Sequence, residues 1–354
     1  MIPLRKKIGQ LLIMGFDGAV VNEDSLVSHW LRKDGLGGVL LFDKDWSTGD
    51  YGKNLQNREQ IKLLIQQLNE CAQQVFPEMP LLTAIDYEGG AVDRLKSIKG
   101  CMTTLDARAL AKLDEQELKN QLEQMAQTLS TLGFNLNFAP VVDLNLNEEK
   151  GIIGKLDRSY SANPQEVIRV ARQFVDVFAQ HGIACSYKHF PGHGSATGDT
   201  HEGFVDVTEH FNHQELIPYA SLVQDKDKPV MIMTAHVINK VLDETGLPAT
   251  LSYKILTTVL RDTLGYDGII ISDDLQMQAI AHHYSLEDSL ALTFNAGADM
   301  VIFGNQLGFI SATDVIDCIE QLVLCKKIPM HRIDEAYQRV MRLKQHIKKK
   351  ELVI

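Results

Sequence analysis

Apolar residues in this chain gather in short runs separated by polar stretches, never in one long block. The runs cover residues 8–16, 38–42, 81–85, 136–142, 183–187, 229–235, 268–271 and 300–303. Short continuous runs rich in Val and Ile are what strands buried on both faces require, as in a parallel sheet. Between them the spacing becomes helical. Leu118, Leu122, Met125, Leu129 and Leu132 recur on one face and stop at Gly133, a residue suited to a helix C-cap. Similar patterns predict helices over about 58–74, 164–180, 253–264 and 286–296, and a final helix over about 332–350. Strands alternating with helices in this way predict an α/β fold closed as a (β/α)8 TIM barrel rather than an open sheet. No glycine-rich dinucleotide fingerprint follows the first run, and no Pro/Ser-rich linker divides the chain, so residues 1–354 read as one domain. The first sixteen residues superficially resemble a secretion signal. Their apolar stretch is short, is interrupted by Gln10 and reaches Asp17 without a small-residue cleavage site, so it reads as the first strand.

Composition narrows the partners. The formal net charge of −11 leaves no basic face to neutralise phosphates, which argues against nucleic acid or an anionic membrane surface. The lysine-rich stretch 344–350 is the exception, and reads as the solvated end of the final helix. No run of eighteen apolar residues occurs, so no membrane span is expected. Cysteines 71, 101, 185, 318 and 325 are odd in number and lack zinc-ligand spacing, which fits a reduced, cytoplasmic compartment.

In a TIM barrel the chemistry sits at the C-terminal ends of the strands. The polar residues that interrupt or follow the runs are Asp86 and Glu88, Asp143, Lys188 and His189, His236, and Asp273 with Asp274. Any one could cap a helix or hold an ion pair; together they mark one rim as a site. The richest stretch is Lys188-His-Phe-Pro-Gly-His-Gly194, followed by Asp199-Thr-His201. Asp199 and His201 are two apart, so in an extended loop the carboxylate can face and orient the imidazole. An imidazole titrates near neutrality without help, at about 6.5. Glycines 192, 194 and 198 predict a mobile loop over 192–204. At the other signature, Asp274 suits a helix cap, which leaves Asp273 pointing into the barrel mouth. A carboxylate facing a protonatable group is the minimal apparatus of retaining glycoside cleavage.

Lys188–Gly194 with Asp199-Thr-His201, and Ser272-Asp-Asp-Leu-Gln-Met277, resemble the paired signatures of glycoside hydrolase family 3, in its bacterial β-N-acetylglucosaminidase branch. The resemblance extends to Ile8-Gly-Gln-Leu-Leu, Ile85-Asp-Tyr-Glu-Gly-Gly90 with Arg94, Arg158-Ser-Tyr160, Pro248-Ala-Thr-Leu-Ser252 and Asn295-Ala-Gly-Ala-Asp-Met300. It implies a TIM barrel, retention of configuration and no metal or organic cofactor. It implies Asp273 as nucleophile, His201 as acid/base and Asp199 as its orienting partner. Asp86, Arg94, Arg158, Lys188 and His189 become sugar-binding residues, with a structural ion pair from Arg158 to Asp86 or Asp143 as the alternative. The substrate implied is a small carbohydrate or muropeptide with a terminal β-linked GlcNAc, handled in cytoplasmic cell-wall recycling. The chain departs from the pattern at Ala91 (usually Arg), Ser195-Ala196 (usually Asp-Thr) and Phe204-Val205 (usually Leu-Pro). Two other readings compete. One is a metal-dependent barrel hydrolase in which His189, His193, His201 and His236 converge with Asp273. The other is a sugar-binding protein without catalysis.

Overall fold

The computed structural model describes residues 2–200 and 203–351. Eight parallel strands close into a barrel: β1 (Leu12–Met14), β2 (Gly38–Leu40), β3 (Leu82–Ile85), β4 (Leu136–Asn137), β5 (Ala184–Phe190), β6 (Val230–Thr234), β7 (Ile270–Asp274) and β8 (Met300–Phe303). Each pairs with its chain neighbours and β8 closes on β1, as a right-handed strand–helix alternation dictates. Their apolar side chains are almost wholly buried, which is why the runs read as continuous. The helices pack outside. Glu115–Leu132 opens on an Asp114/Glu117 capping box and ends at Gly133 with φ 96°. Pro164–Gln180 begins with proline in its first turn, after the Asn163 cap.

Three sequence readings need correction. The first run is not one strand: Leu4–Gly9 is helical and only Leu12–Met14 joins the barrel. Its charged residues form ion pairs, Arg5 with Asp34 and Asp317 and Lys7 with Asp334, while Ile8 is buried, a helical division hidden inside an apolar stretch. The fourth strand is cut to Leu136–Asn137, with one further bridge from Val141 to Lys188, because Pro140 has no N–H for the ladder. The lysine-rich end is not all solvated. Lys344 is 1% exposed and donates Nζ to Gln10 Oε1 (2.7 Å) and Gly37 O (2.8 Å), fastening the final helix to the barrel floor. The helix Ala312–Leu324, capped by Ser311, was not anticipated.

The fifth and seventh strands run further than their apolar cores, taking in Lys188, His189, Asp273 and Asp274. Register shifts fall there, between Tyr187 and Phe190 and between Ile271 and Asp274. Such irregularities re-aim side chains beside a site. Among the described residues no helix is long and apolar enough to cross a membrane.

Candidate active site

A pocket of about 430 Å³ opens at the C-terminal ends of the strands. Asp86, Glu88, Arg94, Arg158, Lys188, His189, Asp199 and Asp273 all line it, with Phe42, Trp46, Leu156 and Met277 forming apolar walls. His201, the expected acid/base, lies outside the described residues. A larger cavity of about 570 Å³ lies at the barrel floor, where Arg339 and Arg342 are matched to Asp267.

The pocket's charged side is one network. Lys188 Nζ lies 3.1 Å from Asp86 Oδ1 and 2.8 Å from Glu88 Oε1. Arg158 grips the same Glu88 with two bonds, Nε to Oε2 (2.9 Å) and Nη2 to Oε1 (2.7 Å). This is the bidentate fork that arginine makes with a carboxylate. Burial opposes the Glu88 charge, but Arg158 and Lys188 outweigh it and hold the carboxyl far below the usual range. Burial likewise works against Lys188, yet Glu88 and Asp86 raise it, so its ammonium is secure. Arg158 therefore does form an ion pair, with Glu88 in place of Asp86 or Asp143.

His189 is oriented from behind. It donates Nδ1–H to Asp143 Oδ2 at 2.7 Å, and the backbone N–H of His193 reaches the other oxygen at 2.8 Å. Burial disfavours charge on Asp143, but His189 and His193 together more than compensate and lower it. His193 is itself buried and pushed down to about 4, chiefly by desolvation, so it is a neutral imidazole. His236 places its ring nitrogens 2.8 Å from Thr250 Oγ1 and 2.9 Å from Asp274 O. Among the described residues no group of three or more His, Cys, Asp or Glu is placed to hold a metal ion. Both β7 aspartates line the pocket. Asp274 Oδ1 also accepts from Gln276 N (2.9 Å) and shapes the turn, while Asp273 Oδ1 accepts from Asp274 N (2.8 Å).

The model of the glycosyl hydrolase family 3 N terminal domain matches residues 3–343. This chain belongs to glycoside hydrolase family 3. It is 34% identical over 292 residues to Beta-hexosaminidase A of Pseudoalteromonas piscicida, an alignment covering 78% of this chain and 47% of that protein. The chain thus matches about half the length of that relative. It is 34% identical to Beta-hexosaminidase of Tolumonas auensis, over 80% of each. Its fold superposes with a TM-score of 0.86 on a glycoside hydrolase family 3 β-N-acetylglucosaminidase from Paenibacillus sp. FPU-7. That match is 30% identical and covers 99% of this chain and 64% of the other.

Within this family 3 barrel, two expectations about the loop after β5 change. Residues 191–196 are buried and fastened. Glu215 accepts from Gly194 N (3.0 Å) and Ser195 N (3.3 Å), and Asn147 donates to Ala196 O (3.1 Å). A Cβ on Gly194 would lie 1.9 Å from Leu144 O, so this glycine permits close approach rather than motion. Gly198 alone of the three has room, its nearest neighbour being Val205 Cγ2 at 3.4 Å. Sequence reasoning did not single out Glu215, because Asn212-x-x-Glu215 reads as an ordinary capping box. Nor did it give Glu88 and Asp143 their work as clamps, though both stood among the strand-end residues. Of the family departures, Ala91 lines the pocket, Ser195 and Ala196 are buried beneath it, and Phe204 stacks on His283 with ring centroids 3.7 Å apart.

Proposed function

We propose that the chain is a retaining exo-β-N-acetylglucosaminidase that removes terminal, non-reducing β-linked GlcNAc from small carbohydrates or muropeptides. One observation carries the reading. Asp273, at the end of β7, and Asp199, on the loop after β5, open onto the same pocket as Asp86, Arg94, Lys188 and His189. The names of the relatives, β-hexosaminidases and a β-N-acetylglucosaminidase, point the same way.

In this mechanism the Asp273 carboxylate attacks the anomeric carbon while the glycosidic C–O bond breaks, and the departing oxygen takes a proton from the His201 imidazolium. Asp199 orients that imidazole. In the second half the now neutral imidazole removes a proton from water, the water oxygen bonds to the anomeric carbon, and Asp273 is released. Two inversions leave the configuration retained. Asp86 accepts from sugar hydroxyls, and Arg94, Lys188 and His189 supply donors. Arg158 has spent Nε–H and one Nη2–H on Glu88, so both Nη1–H groups and the second Nη2–H are what it retains for a sugar or its N-acetyl oxygen. Residues 1–354 act as one catalytic domain. Its five free cysteines suit the reducing cytoplasm, where cell-wall fragments would be recycled.

The test is turnover on aryl β-glycosides of GlcNAc, GalNAc, glucose and xylose beside a muropeptide fragment, with 2-fluoro or 5-fluoro glycoside labelling. Preference for the acetamido sugar and a label on Asp273 support the reading. Equal rates on glucosides, or a label on Asp274, defeat it.

A further inference from the structure

The connection between β2 and the helix Arg58–Gln73 spans residues 41–57 and crosses the rim beside the pocket. Connections this long in a compact domain are uncommon and usually functional. This one is held rigidly. Gln306, 5% exposed, accepts from Trp46 N through Oε1 (3.0 Å) and donates Nε2 to Lys44 O (3.0 Å). Lys53 Nζ reaches Asn305 O at 2.8 Å, and Asn54 ties the loop to Phe16 O and Gly18 O. The loops after β1, β2 and β8 thereby form one strap.

What the strap presents is Trp46, which lines the pocket and is 40% exposed. The chain has two tryptophans, and the contrast is informative. Trp30 is 1% exposed and donates Nε1–H to Ser311, the ordinary fate of a structural indole. Trp46 is the more exposed of the two and borders the pocket mouth. The Arg94 guanidinium carbon lies over both the Trp46 ring and the Phe42 ring, 5.8 Å from each centroid, a cation–π contact. Its nitrogens stay 3.8 Å from both Asp43 and Asp86, too far to be hydrogen-bonded. Arg94 Nε and Asp43 Oδ1 are buried without a hydrogen-bond partner among the described residues. An aromatic face therefore stands next to charged groups whose bonding capacity is unspent. That pairing suits a ligand with an apolar face and polar edges, which is the description of a pyranose.

We propose that Trp46 is a sugar-stacking residue: its indole packs against the C–H face of the pyranose whose hydroxyls Asp86 and Arg94 hold. The inference rests on the proposed function for the class of ligand, and adds a binding contact from the loop after β2. Trp46 is pre-positioned by Gln306, so little ordering is needed when the sugar arrives.

The two tryptophans make the test direct. In Trp30→Phe, a substitution outside the pocket, all indole emission comes from Trp46. Titration with N-acetylglucosamine should change that emission saturably. In Trp46→Phe the response should vanish while affinity, measured by calorimetry, stays near wild type. Trp46→Ala should weaken affinity about tenfold and raise KM, with kcat on aryl glycosides within a few-fold. Rescue by phenylalanine and not by alanine is what a merely structural role would not produce. If the wild type binds the sugar but Trp46→Ala binds it equally well and the emission is unmoved, the stacking role is wrong while the proposed function stands. If the wild type binds no sugar, both fall.

Discussion

The two ends of the barrel hold similar buried charges and put them to different use. At the floor, the Asp299 carboxylate is met by Arg261 (2.5 Å), Arg339 (3.1 Å) and Arg332 (3.3 Å), and by the backbone N–H of Ile270 (3.0 Å). At the rim, Glu88 is met by Arg158 and Lys188 in geometry just as close. The floor network ties helix to strand. The rim network passes through Lys188 to Asp86, which with Arg94 opens on the pocket and has bonding capacity left. The larger cavity is the one at the floor. Neither buried charge nor cavity size therefore locates a site; partly committed charge facing an opening does.

The sharpest way to break this comparison is at Asp273. Asp273→Ala should lower kcat on the order of 10⁴-fold while leaving the thermal midpoint close to wild type. A variant that unfolds instead would make Asp273 a floor-type residue. Next come the two clamps. Glu88→Gln and Asp299→Asn each leave buried cations without their carboxylate, a loss of about 3–5 kcal/mol by denaturant melts. Below its melting range, folded Asp299→Asn should keep wild-type kcat/KM, whereas Glu88→Gln should lose activity as well, because Lys188 and Arg158 are displaced. Equal kinetic damage from both would erase the distinction between the ends.

Lys344 tests the floor by pH. Burial pushes its ammonium down to about 7 from 10.5. Between those values the unfolded chain binds more protons than the folded one, so wild-type stability gains from this group as pH rises, by at most about 1.4 kcal/mol per unit. Lys344→Met removes that dependence, so its advantage over wild type should shrink from pH 7 towards pH 10. Urea melts of the two proteins that run parallel across this range would contradict a buried neutral amine. The smallest effects lie within the loop after β5. Gly194→Ala should cost about 1–3 kcal/mol by driving a methyl into Leu144 O, while Gly198→Ala should cost under about 1 kcal/mol. The reverse order in thermal melts would restore the view of Gly194 as a hinge.

By itself the sequence determined the barrel and the rim. A strand buried on both faces must be a continuous apolar run, and the polar residue that ends it stands at the strand's C-terminal end, so Asp86, Lys188, His189 and Asp273 were legible from pattern alone. The two-residue spacing of Asp199 and His201 added that pair, and resemblance added Arg94 and Arg158. Partner choice was decided only by the tertiary structure. Lys188 and Asp86 are 102 residues apart in the chain, His189 and Asp143 are 46 apart, and Lys344 and Gln10 are 334 apart. No local pattern says which of several strand-end carboxylates a lysine will meet, or that one lysine in a basic stretch will be buried. The same holds for Gly194, whose lack of a side chain answers to Leu144 O across the loop, and for Trp46, whose exposure depends on a strap built from three separate loops. Hydrophobic periodicity is a local property of the chain, while the pairing of polar groups is settled by which elements the closed barrel brings together.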